Sequence, residues 1–350
     1  MGDKNVDAFL ALVRAGLWCS EKQDFRIDES TDWQKVYQLA GEQSVVGLVT
    51  AGFDHILDVK ASQEIVLQCI GESLQLEQTN KAMNQFIADL IEKMRKADIY
   101  TLLVKGQGIA QCYEKPLWRA SGDVDLLLSD SNYGKAREFL LPLSSDNKLD
   151  ERYSKHLGMN IDQWYVEIHG TLRTGLSGRI DRVVDNVQKD VFHKGNVRSW
   201  DNGKTQIFLP SPDNDVFFVF THFIKHFYKE GMNLRQICDW CRLLWTFKGS
   251  LDHKLLEKRV RKAGLMAEWK AFAALAVEYL GMPSDAMPMY SSDNHKKAER
   301  ILKHILKGEP YSKVRDTCAI GKIFPWHTCK FLPAIFFHLN WLKIKERVWG

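Results

Sequence analysis

The sequence predicts an α+β protein in which a segment of alternating strands and helices lies between two helical regions. Three observations carry this reading. Apolar residues recur at helical spacing across 1–95. Short β-rich runs alternate with helical patterns across 96–210. Helical periodicity then returns and holds across 211–350. The chain is therefore expected to divide at about residues 95 and 210, and its 350 residues give room for two or three packed domains.

The N-terminal run MGDKNVDAFLALVRAGL carries charges within its apolar stretch and reads as an amphipathic helix rather than a signal peptide. Position 6 is Val6, not the Ser or Thr that myristoylation calls for. Phe9, Leu10, Leu12, Val13 and Leu17 define one apolar stripe, and Leu74, Leu76, Met83, Phe86, Ile87 and Leu90 define another. A strand is expected over 99–104, ending at Lys105-Gly106, followed by a short helix from Gly108 to Tyr113 that Pro116 stops. Leu126–Leu128 reads as a buried strand, with a helix near 131–141 and further strands over 156–161, 164–169 and 205–209. Pro210-Ser211-Pro212 marks the exit, with Ser211 or Asp213 as cap of a helix over 213–229.

Chemistry concentrates in KGQGIAQCYEKPLWRASGDVDLLL (105–128). Side chains alternate along a strand, so Asp123 and Asp125 are expected to project together while Val124 faces the core. Two neighbouring carboxylates ionise together at low cost only with a cation between them. A hard cation such as Mg²⁺ suits them, since it takes a few carboxylate oxygens and leaves positions for phosphate and water. Upstream, Gly106 and Gly108 permit close backbone approach of a phosphate at a helix start, with Lys105 adding positive charge at the rim. Arg119 and Gly122 precede the acid pair, which brings a guanidinium to the same anion. In WYVEIHG (164–170) an acid sits between apolar neighbours, so Glu167 is presented beside the other strand, with His169 on the same face.

A glycine turn, two carboxylates on one strand and a third on a later strand resemble the polymerase-β-like nucleotidyltransferase superfamily. Within it, the chain is most similar to a bacterial family known as uncharacterised nucleotidyltransferases. Lys105, Gly106, Ala110, Tyr113, Pro116, Arg119, Gly122, Asp123, Asp125, Glu167 and His169 carry the resemblance. It is specific over 99–170 and looser over 211–245, and the lead-in W-x-x-V-x-x-L-A beginning at Trp33 also fits. The superfamily's usual Gly-Ser turn is replaced here by Lys105-Gly106-Gln107. The resemblance implies a small mixed sheet backed by helices over 96–210. It also implies transfer of a nucleoside monophosphate from a nucleoside triphosphate to a hydroxyl, with release of pyrophosphate. Asp123, Asp125 and Glu167 would then be the catalytic, metal-holding residues for Mg²⁺ or Mn²⁺, and Lys105, Gly106, Arg119 and Gly122 would bind the nucleotide. The rival expectations are a catalytically silent nucleotide-binding module and an enzyme that nucleotidylates proteins.

The C-terminal region leaves alternatives open. His222 and His226 share a helix face, and Arg235, Asp239 and a Cys238-x-x-Cys241 pair follow. Zinc held by His222, His226, Cys238 and Cys241 competes with packed thiols, which is the expectation. His222, His226, Arg235 and Asp239 either contact the acceptor or nucleotide or join helices in a polar network, and His169 is a further candidate for such a contact. The stretch FLPAIFFHLNWLKIKERVW (331–349) is expected to close the core rather than lie on a membrane surface. Seven cysteines point to reduced thiols and a cytoplasmic setting. A net charge of +4 from 48 basic and 44 acidic residues disfavours long nucleic acid and leaves a sugar or other small metabolite as the expected acceptor. No apolar run reaches membrane-spanning length.

Overall fold

The structure is a computed structural model that describes residues 3–18, 27–56, 61–145, 150–153, 155–307 and 317–336. Helices α1 (Lys4–Trp18), α2 (Trp33–Glu42), α3 (Val46–Phe53) and α4 (Gln63–Lys96) come first. In α4, Ser62 accepts the Ile65 amide at the start, and Lys93, Arg95 and Lys96 face the carbonyl-rich end of the helix dipole. The chain then turns at Asp98, at φ 56°, into β1 (Thr101–Val104). Next come α5 (Gly106–Ala110), β2 (Val124–Leu128), α6 (Asp130–Leu140), β3 (Asp150–Tyr153), β4 (His156–Ile161) and β5 (Trp164–His169). Helix α7 (Gly178–Lys194), strands β6 (Val197–Asn202) and β7 (Thr205–Pro210), and helices α8 (Pro212–Lys229) and α9 (Leu234–Phe247) follow. Helices α10 (His253–Ala263), α11 (Met266–Glu278), α12 (His295–Lys307) and α13 (Thr317–Ile323) complete the set, with a further helix over 325–336.

The expected mixed sheet is present, in the order β1-β2-β5-β4-β3. Strands β2 and β5 run parallel, with Asp125 beside Glu167, while β4 pairs antiparallel with β5 and sets His156 beside His169. Period-two alternation divides the sheet into two faces. Val124, Leu126, Leu128, Val166 and Ile168 pack with Met83, Ile87, Leu90 and Ile91 of α4 and Ala136 and Leu140 of α6. Leu102, Val104 and Leu127 point the other way, into a larger core shared with α1, α7, α8, α9 and α11. That second face carries Asp125, Glu167 and His169. Residues from all three regions expected from the sequence share this larger core.

Several elements depart from expectation. The short helix begins at Gly106 rather than Gly108, because the Lys105 carbonyl already accepts the Gly108 and Ile109 amides. Strand β2 begins at Val124, so Asp123 precedes the strand and is exposed. The sequence reading omitted β3, α7 and β6. Ser211 occupies the N-cap position of α8 with Pro212 as first helical residue, but its side chain makes no capping bond. Of the 331–349 stretch, 331–336 is described, with Phe331 and Ile335 buried in the larger core; the rest lies outside the described residues. Among the described residues no helix is long and apolar enough to cross a membrane.

Candidate active site

The polar side chains of the sheet's second face form the floor of a cavity of about 1560 Å³. Its far wall comes from α7, α8 and α9, with Gln188, Lys229, His222, His226, Arg235 and Asp239 among its lining. Asp123, Asp125, Glu167, Lys105, Gly106, Gly122, Arg119 and His169 line it too, so the structure brings every residue singled out for this site to one cleft.

At the floor, Asp125 and Glu167 are both buried, at 5% and 7% exposure, yet burying carboxylates in apolar surroundings is costly. Their compensation is visible. Lys105 Nζ lies 2.6 Å from Asp125 Oδ1, and His169 Nε2 lies 2.8 Å from the same oxygen. His156 Nε2 stands 3.3 Å from Glu167 Oε2, and His169 Nε2 stands 3.5 Å from it. Burial by itself raises the Glu167 carboxyl, but the His156 hydrogen bond and the Lys105 charge outweigh it and hold the group below the usual carboxylate range. Burial likewise opposes the Lys105 charge, but Asp125 and Glu167 hold its ammonium above the ordinary lysine value. His169 is shifted the opposite way: burial, aided by the Lys105 and His156 charges, lowers it and favours neutral imidazole.

Lys105 was expected at a phosphate rim, yet its ammonium sits on Asp125. Its backbone explains the reach. Lys105 has φ 59° and ψ −149°, a region that costs a non-glycine residue about 1–3 kcal/mol and persists only where the surroundings fix it. Gly106 follows at φ 43°, and a Cβ there would sit 3.4 Å from the Asp123 carbonyl. The turn is thus laid directly against the residue that opens the acid pair. Gln107, at the superfamily's serine position, is buried and directs its amide to Asn80 Oδ1 at 2.6 Å, into α4 and away from the cleft.

Arg119 also departs from its expected place beside the anion. Its Nε and Nη2 donate to the two Asp239 oxygens, each at 2.7 Å, and its Nη1 donates to the Ala120 carbonyl. Tyr113 adds a third bond to Asp239 at 2.7 Å. Burial opposes the Asp239 charge, but Arg119 prevails and lowers its pKa. This network ties the 111–122 segment to α9. The guanidinium beside Gly122 is instead Arg235, whose Nη1 donates to Ala120 O at 2.8 Å.

On α8, His222 Nε2 and His226 Nε2 lie 3.0 Å apart, and His226 Nδ1 lies 2.8 Å from Glu230 Oε2. Burial, reinforced by the Lys105 charge, lowers both imidazole pKa values. Cys238 and Cys241 are wholly buried in α9, and burial pushes both thiols up. Among the described residues the donors close enough to share a metal ion are instead His156, Glu167 and His169. The sequence reading missed His156, along with Lys229, whose Nζ donates to the Thr174 and Gly175 carbonyls at 3.1 Å. The one signal for His156 was its position at the start of an expected strand.

Neighbouring carboxylates on a mixed sheet thus lie under a helical wall, and sequence comparison gives the family. The family described as uncharacterised nucleotidyltransferases matches residues 29–281, most of the chain, and the protein belongs to that family. Among solved structures, an antigenic nucleotidyltransferase-like protein from Paracoccidioides brasiliensis aligns over 64% of this chain and 98% of its own, at 12% identity and a TM-score of 0.35. A search of curated proteins gives no significant match.

Proposed function

We propose that the protein transfers a nucleoside monophosphate from a nucleoside triphosphate to a hydroxyl of a small-molecule or sugar acceptor, releasing pyrophosphate. The observation that carries this reading is the parallel register of β2 and β5, which sets Asp125 beside Glu167 on the cleft floor with Asp123 two residues away at the mouth. The donor set fits a divalent cation, because buried carboxylates that now rely on Lys105 and two imidazoles for compensation are oxygen ligands on rigid strands. Asp123, Asp125 and Glu167 would hold Mg²⁺ or Mn²⁺, which when bound supplies charge to the triphosphate and acidifies an attacking hydroxyl.

The chain's own groups supply the rest. Lys105 neutralises charge at the cleft floor, and Gly106 and Gly122 let a phosphate approach the backbone near Arg235. Arg119 acts through Asp239, fixing the loop that bears Gly122 and Asp123. His222 and His226, favoured as neutral imidazoles on the α8 wall, can hydrogen-bond the acceptor hydroxyl. The charge balance disfavours long nucleic acid as the acceptor.

The test is incubation with each labelled nucleoside triphosphate and Mg²⁺ or Mn²⁺, with and without a small-molecule extract, scoring pyrophosphate and labelled products. Labelled small molecule with pyrophosphate is the expected result. Label on protein favours the protein-nucleotidylating alternative, and binding without pyrophosphate favours a silent module.

A further inference from the structure

The face that carries Asp125 also carries two imidazoles for which the transfer reaction has no stated use as ligands. His156 opens β4 directly opposite His169 of β5, and their rings meet edge to face with centroids 4.6 Å apart. Both present Nε2 to one oxygen of Glu167, at 3.3 and 3.5 Å, and His169 Nε2 also lies 2.8 Å from Asp125 Oδ1, a contact that a bound cation would replace. The ligand atoms of all three residues lie within 4.8 Å of one another. Donors around an ion at about 2.1 Å stand about 3.0 Å apart in octahedral and about 3.4 Å apart in tetrahedral geometry. The two distances to Glu167 already match that spacing.

On β4 a glycine stands opposite Glu167. Gly158 is the residue paired with Glu167 across β4, and the Tyr165 hydroxyl occupies the place of its missing side chain, where a Cβ would come within 2.1 Å. No side chain therefore projects from β4 onto Glu167 at that point. Lys105 pairs directly with Asp125 and reaches Glu167 only through its longer-range charge.

We propose that His156, Glu167 and His169 form a binding site for a borderline first-row divalent cation of the Zn²⁺ and Co²⁺ kind, in preference to Mg²⁺. Mg²⁺ takes oxygen donors and loses water reluctantly, whereas imidazole suits the later first-row ions. Two imidazoles and one carboxylate, fixed on neighbouring strands, are the donor set of an open transition-metal site. This goes beyond the transfer reading, with which it shares only the Glu167 carboxylate, because binding needs neither nucleotide nor Asp123.

The test uses untagged full-length protein stripped with a chelator and titrated with Co²⁺ as a visible probe. Stoichiometric Co²⁺, displaced by Zn²⁺ and retained in excess Mg²⁺, is expected. His156→Ala should weaken Co²⁺ binding by at least roughly 10–100-fold, the loss typical of disturbing even an outer partner of a metal site. Asp123→Asn should keep the wild-type Co²⁺ affinity, and its transfer activity is scored in parallel, so this site and the transfer reading fail separately. Absence of stoichiometric Co²⁺, displacement by Mg²⁺ at comparable concentration, or unchanged binding in His156→Ala would each overturn the proposal. If His156→Ala does not fold, the wild-type competition against Mg²⁺ decides alone.

Discussion

At the scale of single residues, the site is governed by charge compensation. Lys105 accepts a strained backbone to place its ammonium on Asp125, and Glu167 is held ionised by His156 and the same lysine. Removing one partner of a buried pair leaves an uncompensated charge, at a cost of about 3–5 kcal/mol. Lys105→Ala should therefore lower the melting temperature of the metal-free protein, and Mn²⁺ should restore much of it by taking over the compensation. Melting curves with chelator and with Mn²⁺ check this; an equal loss in both would mean that the carboxylates do not hold the cation. Asp125 and Glu167 were legible in the sequence, because apolar-acid-apolar alternation fixes which way a strand residue points. His156 was not, because its place beside His169 depends on a register between two strands. The partner of Arg119 was also illegible: Asp239 lies 120 residues away, and a basic residue beside an acid pair reads equally as a phosphate ligand.

At the scale of elements, α8 and α9 bring the titratable wall of the cleft. His222 and His226 have folded pKa values below the ordinary 6.5, so the unfolded chain binds more protons just below that pH. Their contribution is complete above 6.5 and is lost as pH falls below it. The His222→Gln/His226→Gln double variant should show a shallower fall in melting temperature from pH 6.5 downward, with His169 retaining part of the slope. The depressed carboxylates Glu167 and Asp239 act only from their ordinary values of 4.5 and 3.8 downward, so the windows separate. On α9, Asp239→Asn leaves buried Arg119 without its charged partner and should destabilise by about 3–5 kcal/mol. Denaturant unfolding checks this, and a change under 1 kcal/mol would show that the pair does not hold the loop. Helix α7 was visible in principle, with Ser177 capping, Ile180, Val183, Val184, Val187 and Val191 on one face, and Gly195 at the left-handed stop. Strand β6 was not, since its residues alternate only between exposed and half-buried and show no apolar face.

At the scale of the whole molecule, the α+β class followed from periodicity, and the mixed sheet between helical regions from the family resemblance. The way the regions join did not. Leu102, Val104 and Leu127 of the sheet enter the same core as Phe9 of α1 and Phe220 and Trp240 of α8 and α9, and such sharing leaves no mark on local pattern. This packing is what sets a helical wall over the sheet carboxylates and closes the cleft. Asp125 and Glu167 are proposed to serve chemistry as well as the charge balance of the cleft floor. The most direct measurement compares wild type with Asp125→Asn and Glu167→Gln for pyrophosphate release from labelled nucleoside triphosphate, alongside the melting temperature of each. Both variants are expected to lose transfer while still unfolding cooperatively, Asp125→Asn at a lower temperature because buried Lys105 loses its charged partner. Full pyrophosphate release by a folded Asp125→Asn protein would contradict that chemical role.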